Sequence, residues 1–505
     1  MQRLHKIPAE PRETHNRVPW VLAFDHETKQ PSTVNWASRY TTLGLFLLAL
    51  AIPSIWVFAG YFEYSLNASL SYWVADGWCA DGTETLGVHC FSDYAYARGQ
   101  FLRSASIWGA QPFAVPYSAI GWAPTIAFVK IGEFAGSYSV GRTLYVIVLC
   151  VCLLAPALWV GYGRFRQRGP LALALVGCGT WPFLIAVDRA NAIGFAMPFV
   201  LLAAIAYVRD RSLLFATAVV ISSGLKPQLA LLVLLFLHRR RIAYLLGTLS
   251  TIVLVNVAAF MFYDGGIVNN IRGWTRILSN YSHYQSLDTY YPYNLGAGRS
   301  IIVVGDLVSK VFPLDGILSR STLTLLLQEN SAALGIVIIL IVAASILRSG
   351  KTVNPIFPIT AVLMLVIVVP GLSYGYYSAF LMVPIALVLR DPLVSNRTFR
   401  STPSWSGLLD SSRFRRPDGF WRILLMSLLS LFALVSAPIF LPIPPVYLMN
   451  STIIGDDVAL GLIQILAGPL ILSILAICCA FMWRRSDSGP VVIDGYRSNG
   501  TSSYS

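Results

Sequence analysis

Two charged residues of this chain stand where charge is costly or directed. Lys226 interrupts an apolar stretch at Gly224-Leu225-Lys226-Pro227-Gln228, and Asp93 lies in Ser92-Asp93-Tyr94-Ala95-Tyr96-Ala97-Arg98, within a long loop after the first apolar run. A lysine beside a proline, between two short apolar segments, faces a cavity or a partner, or else snorkels to the headgroups. At the tip of a broken helix it can hold an anion, because half-helix ends and ammonium groups both favour negative charge. A carboxylate on a loop folded over that point can take a proton from an incoming hydroxyl; the plainer reading of Asp93 is a solvated acid or a helix N-cap. Asp188-Arg189-Ala190-Asn191 fills a tight turn between two apolar runs, where Asp188 and Arg189 read as an interfacial ion pair or as polar contacts for a ligand. Tyr117 and His283 belong to aromatic-rich loops, and aromatic rings there either anchor the membrane interface or offer a face to a sugar.

The elements that must position these residues follow from composition. Of 505 residues, 56% are hydrophobic and only 12% charged, about half the usual charged share. With a mean hydropathy of +0.64, this excludes soluble globular, collagenous, disordered and disulfide-scaffold classes and implies an all-α polytopic membrane protein. Ten apolar runs are long enough to cross roughly 30 Å of hydrocarbon, at 40–62, 144–163, 171–187, 192–208, 242–262, 331–347, 353–370, 374–389, 420–441 and 458–483. Two further runs are shorter or broken: 119–134, which carries Lys130 and Glu133, and 213–237, which Lys226 splits. Arginine clusters at Arg164/Arg166/Arg168, Arg209/Arg211, Arg239/Arg240/Arg241, Arg348/Lys351 and Arg484/Arg485 all favour the cytoplasmic side. They agree only if 119–134 is interfacial or re-entrant and 213–237 is a re-entrant hairpin.

The expected organisation is a cytoplasmic leader (1–39), then a module at 40–262 that includes an outer loop (63–139) and the hairpin (213–237). A second outer region (263–330), C-terminal spans (331–485) and a disordered cytoplasmic tail (486–505) follow. The polar leader is too long for a cleavable signal peptide. The net charge of +13 is accounted for by the positive-inside bias, so no nucleic-acid partner is implied. Cys79 and Cys90 share the first outer loop, where they are either a disulfide or two free thiols; the other five cysteines fall in apolar runs. Six histidines without ligand spacing imply no dedicated metal site.

Several segments occur in a telling order. Ser92-Asp93-Tyr94-Ala95-Tyr96 is followed by Pro116-Tyr117-Ser118-Ala119-Ile120-Gly121-Trp122-Ala123-Pro124, then by Ala190-Asn191-Ala192-Ile193-Gly194-Phe195, then by Leu225-Lys226-Pro227-Gln228 and the arginines at 239–241. Their order and spacing resemble the GT-C membrane glycosyltransferases, and more narrowly glycosyltransferase family 87, the polyprenol-phosphate-mannose-dependent α-mannosyltransferases of actinobacteria. The resemblance implies a GT-C-like fold in the plasma membrane, with both termini cytoplasmic and the active site on the outer face. It makes Asp93 the general base of an inverting displacement, and Lys226, with Arg189 second, the holder of the donor phosphate. Asp188, Asn191, Tyr117 and His283 would orient donor or acceptor. The implied partners are a polyprenyl-phosphate-sugar donor, a cell-envelope glycolipid or glycan acceptor and the lipid bilayer; no cofactor is implied. Arabinofuranosyltransferases share the architecture, so arabinofuranose stands beside mannose as the donor sugar. A rival from another class is a transporter or lipid flippase using Lys226 and Asp188 as intramembrane charges, and a third reading is a non-catalytic subunit on the same scaffold.

Overall fold

Pro227 decides the middle of the chain. A proline pushes the residue before it out of the helical region, and Lys226 is extended, with φ −143° and ψ 109°. The helix Ser212–Leu225 therefore ends there, and a second leg, Pro227–His238, starts with proline at its first position, where its missing N–H is not needed. The legs form a closed hairpin, because their far ends meet. Arg241 Nη2 bonds Asp210 Oδ2 at 2.9 Å, Arg241 also bonds Ser212, and Tyr207 Oη lies 2.5 Å from His238 Nδ1. The turns that bring them together each place one residue in the left-handed region, Asp210 at φ 59° and Arg240 at φ 54°. Each is closed by a 6→1 backbone bond, Arg211 N to Ala206 O at 2.8 Å and Arg241 N to Phe236 O at 3.0 Å.

The computed structural model describes residues 91–103, 107–108, 117–162, 180–287, 294–311, 320–349, 353–370, 373–390 and 462–487. The expected leader, the runs at 40–62 and 420–441, Cys79, Cys90 and most of the tail lie outside these residues. Among the described residues every regular element is helical, and an isolated antiparallel bridge joins Asn294 to Tyr374. Two of the described helices, Ile242–Phe262 and Ala332–Ser349, are long and apolar enough to cross a membrane. Much of the first faces outward, with Leu246, Val253 and Leu254 exposed, as suits a lipid-facing helix. Shorter apolar helices pack behind these. Every residue of Ile356–Val368 is buried, as expected for a helix apolar all round, and it lies against Leu462–Asp487 and against the second leg of the hairpin.

The apolar run at 144–163 is not one straight helix. Tyr138–Leu153 and Ala155–Gly161 meet at 54°, making a third candidate span only if the bent pair is counted as one. Pro156 is the cause: it has no N–H for the preceding turn, and its ring clashes there. Residues 119–134 form a three-residue 3-10 turn and the helix Ala123–Phe134, about 18 Å long and too short to span.

Helix lengths put the singled-out residues at one end. The leg Ser212–Leu225, at 14 residues, rises about 21 Å from the arginine-bearing turns to Lys226. The neighbouring helix Ala192–Val208 falls about 28 Å from Asn191 to Arg209, its first five residues being 3-10. Lys226 and Asn191 thus share the end opposite the arginine-bearing turns.

Candidate functional site

Four helix starts converge at that end. Asp93 lies in the first turn of Ser92–Arg103, while Asn191, Lys226 and Tyr374 are the N-cap residues of 3-10 segments at Ala192–Ala196, Pro227–Leu234 and Gly375–Leu381. All three caps are extended, and each 3-10 segment runs on into an α-helix. The positive ends of four helix dipoles therefore face one region.

Asp93 is held from both sides. Its backbone N–H donates to Arg189 O at 2.9 Å, docking its helix on the corner at 187–191. That corner is closed by Ala190 N to Val187 O at 2.9 Å and Asn191 N to Ala186 O at 3.0 Å, with Ala190 left-handed at φ 50°. Phe91, just before the Asp93 helix, is left-handed too at φ 47°. Neither is glycine, and such residues cost about 1–3 kcal/mol each and gather at functional sites. The strained corner turns Arg189 and Asn191, two residues apart, toward one carboxylate. Arg189 donates Nη2 and Nε to Asp93 Oδ1 at 2.8 and 3.2 Å, and Asn191 Nδ2 donates to Oδ2. Asn191 Oδ1 accepts from Ile193 N at 2.9 Å, so the cap bond fixes which end of the amide meets Asp93. Both members of the Asp93–Arg189 pair are only about one-eighth exposed, at 13% and 12%.

Lys226 sits beside this pair in a cage of rings. Its Nζ lies 4.5 Å from the Tyr117 ring centre and 5.9 Å from that of Tyr377, and the residue is 7% exposed. Among the described residues no side chain hydrogen-bonds it; the nearby Asp93 charge and the aromatic faces are what offset its desolvation. Tyr377 belongs to a stack in which Tyr374 and Tyr376 lie 5.4 Å apart and Tyr376 and Tyr377 4.8 Å, and Tyr374 covers the Arg189 guanidinium at 4.7 Å. One aromatic wall thus backs both cations. Tyr117 Oη accepts from Ala192 N at 3.4 Å, and burial, followed by the nearby Asp93 carboxylate, holds its phenol well above the usual range. A phenol so held keeps its proton.

The hairpin tip is wedged in place. Ser118 Oγ donates to Gly224 O at 2.5 Å and accepts from Gly121 N at 3.2 Å, while Tyr263 Oη donates to Ala119 O at 2.5 Å. A Cβ at Gly121 would stand 3.0 Å from Leu225 O and 3.1 Å from Ser118 Oγ, next to Lys226. Gly121→Ala is therefore expected to cost about 1–3 kcal/mol through overpacking. A lower melting temperature in detergent checks this, and an unchanged one would count against the wedge.

Of the residues singled out from sequence, Asp93, Arg189, Asn191, Tyr117 and Lys226 come together. Asp188 closes the helix Trp181–Asp188 within the corner, and His283 lies on Ile267–Leu287; the placement of both side chains falls outside the described residues, as do Cys79 and Cys90 entirely. Sequence reasoning placed Tyr374 and Tyr377 in an outer turn and Asn294 in a later loop motif, but gave none of them a role. A signal for Asn294 exists in Asn294-Leu295-Gly296, an Asx-turn pattern, and Asn294 Oδ1 accepts from Gly296 N at 2.8 Å. No protein-family model matches the chain, and no curated protein or solved structure matches it.

Proposed function

We propose that this chain is a polyprenyl-phosphate-sugar-dependent glycosyltransferase of GT-C type, most simply a mannosyltransferase acting on a cell-envelope glycolipid or glycan. The observation that carries the reading is the Lys226 ammonium, 93% buried in a ring cage, at a convergence of helix starts and beside an oriented carboxylate. That arrangement suits an anion next to a hydroxyl that must lose a proton.

In the proposed step Asp93 removes the acceptor O–H proton as the acceptor oxygen bonds to the anomeric carbon. The bond from that carbon to the phosphate oxygen breaks, and the lipid phosphate leaves as a monoester. Its charge grows from one to two, and Lys226 with the helix starts meets the growing charge. Arg189 and Asn191 keep Asp93 aimed; because Arg189 is engaged with Asp93, we assign phosphate capture chiefly to Lys226. Attack opposite the leaving group inverts the anomeric centre. A basic side chain takes the place of a divalent ion, so transfer is expected to persist in chelator; loss of turnover restored by added divalent ion would contradict this.

The proposed setting is the plasma membrane, with about ten spans, the arginine-bearing turns cytoplasmic and the Asp93 end outside. In a background lacking native cysteines, Tyr96→Cys should label from outside and Arg240→Cys only after permeabilisation. Both positions labelling from one side would overturn this topology. The direct test of function incubates purified protein with polyprenyl-phosphate-mannose and polyprenyl-phosphate-arabinose separately, over a panel of envelope glycolipids. Consumption of neither donor would sink the reading, and consumption of the second would change the sugar.

A further inference from the structure

Asn294 lies far in sequence from Asp93, Tyr117, Arg189, Asn191 and Lys226, yet its side chain ties down the wall that backs the two cations. Its Oδ1 accepts two backbone N–H groups, Gly296 at 2.8 Å and Ser373 at 2.9 Å, while Leu295 N donates to Ser373 O at 2.7 Å. The residue is 4% exposed and Ser373 fully buried, so these bonds are shielded from water. Residue 374 follows at once, bridged to Asn294 across an isolated antiparallel pair, and its ring lies on Arg189. The ring stack carries that placement on to Tyr377 and so to Lys226. Without an acceptor at position 294, the buried Ser373 N–H loses its partner, which a buried amide seldom tolerates. The turn would then have to shift, and its rings with it.

We propose that Asn294 is a positioning residue for anion capture, acting through Tyr374 to hold the aromatic wall against Arg189 and Lys226. The inference rests on the donor-phosphate reading of Lys226. Coupling of this kind is worth roughly 2- to 30-fold in affinity.

The test measures binding of farnesyl phosphate, with farnesol as control, to the full chain in detergent. Asn294→Ala should weaken farnesyl phosphate binding by roughly 2- to 30-fold and leave farnesol unchanged. Asn294→Asp, which keeps an oxygen acceptor for both amides, should recover most of the loss. In a Tyr374→Leu background Asn294→Ala should add little, because the two act in series. Wild-type affinity in Asn294→Ala, or its full effect persisting without the Tyr374 ring, overturns the inference while leaving the role of Lys226 standing. If Asn294→Ala is too unstable to purify, the comparison of Asn294→Asp with Asn294→Ser decides, the serine being expected to bind more weakly because it reaches only one of the two amides. No preference of the wild-type protein for farnesyl phosphate over farnesol overturns the donor reading, and this role with it.

Discussion

Asp93→Asn should lower sugar transfer by roughly 10²- to 10⁴-fold, the usual worth of a placed general base, while a prenyl phosphate still binds. The amide keeps the shape of the carboxylate and can still accept from Arg189, so the geometry at the corner survives. What it loses is the charge and the basicity. Arg189 then keeps a guanidinium only 12% exposed without its counter-charge, and breaking such a pair from one side can cost about 3–5 kcal/mol when fully buried. A fall in melting temperature is therefore expected alongside the loss of turnover. Binding of the phosphate should hold or tighten, because a negative charge has left the neighbourhood of Lys226. This pattern separates the enzyme from the transporter, which needs no base in the first loop. Transfer at the wild-type rate in Asp93→Asn would remove Asp93 from the chemistry.

Lys226→Met should act in opposite directions on binding and on stability. A hydrogen bond to a charged group is worth about 1.5–3 kcal/mol, so its loss should weaken prenyl phosphate binding roughly 10- to 150-fold. The ligand-free protein, by contrast, should become more stable. It now holds an ammonium that is 7% exposed among rings, near the Asp93 carboxylate but with no hydrogen bond to it, and a buried charge left without one is costly. Methionine fills much of the same volume, and its sulfur suits the faces of Tyr117 and Tyr377. Affinity lost together with melting temperature gained is the signature of a residue kept for its ligand. If stability falls as steeply as affinity, Lys226 is structural, and the phosphate site lies elsewhere.

The parts of this site that were readable from sequence are those carrying a charge or a proline. Lys226 stands out in an apolar run, and Pro227 beside it announces the break; Arg189 and Asn191 sit in a corner too tight for anything but a turn. Their meeting with Asp93, 96 and 98 residues away, was not readable, because it depends on two left-handed residues, Phe91 and Ala190, that are neither glycine nor asparagine. The tyrosines at 374 and 377 look like an interfacial belt, and only the bridge at Asn294 shows them backing cations. Pro156 was in plain view inside an apolar run, yet hydropathy cannot distinguish a bent pair of helices from a straight span. The 3-10 stretches were hidden for a related reason: residues apolar on every side carry no period to read.

The second leg of the hairpin has two residues fewer than the first, yet starts and finishes at the same heights. It does so because Pro227–Leu234 is wound as a 3-10 helix, rising about 2.0 Å per residue instead of 1.5. Over those eight residues the tighter winding adds about 4 Å of reach. The same amino acids coiled in the ordinary way would make this leg about 4 Å shorter, too short to meet the first leg both at Lys226 and at the arginine-bearing turns. The hairpin thus closes at both ends because the pitch of one leg makes up for the residues it lacks.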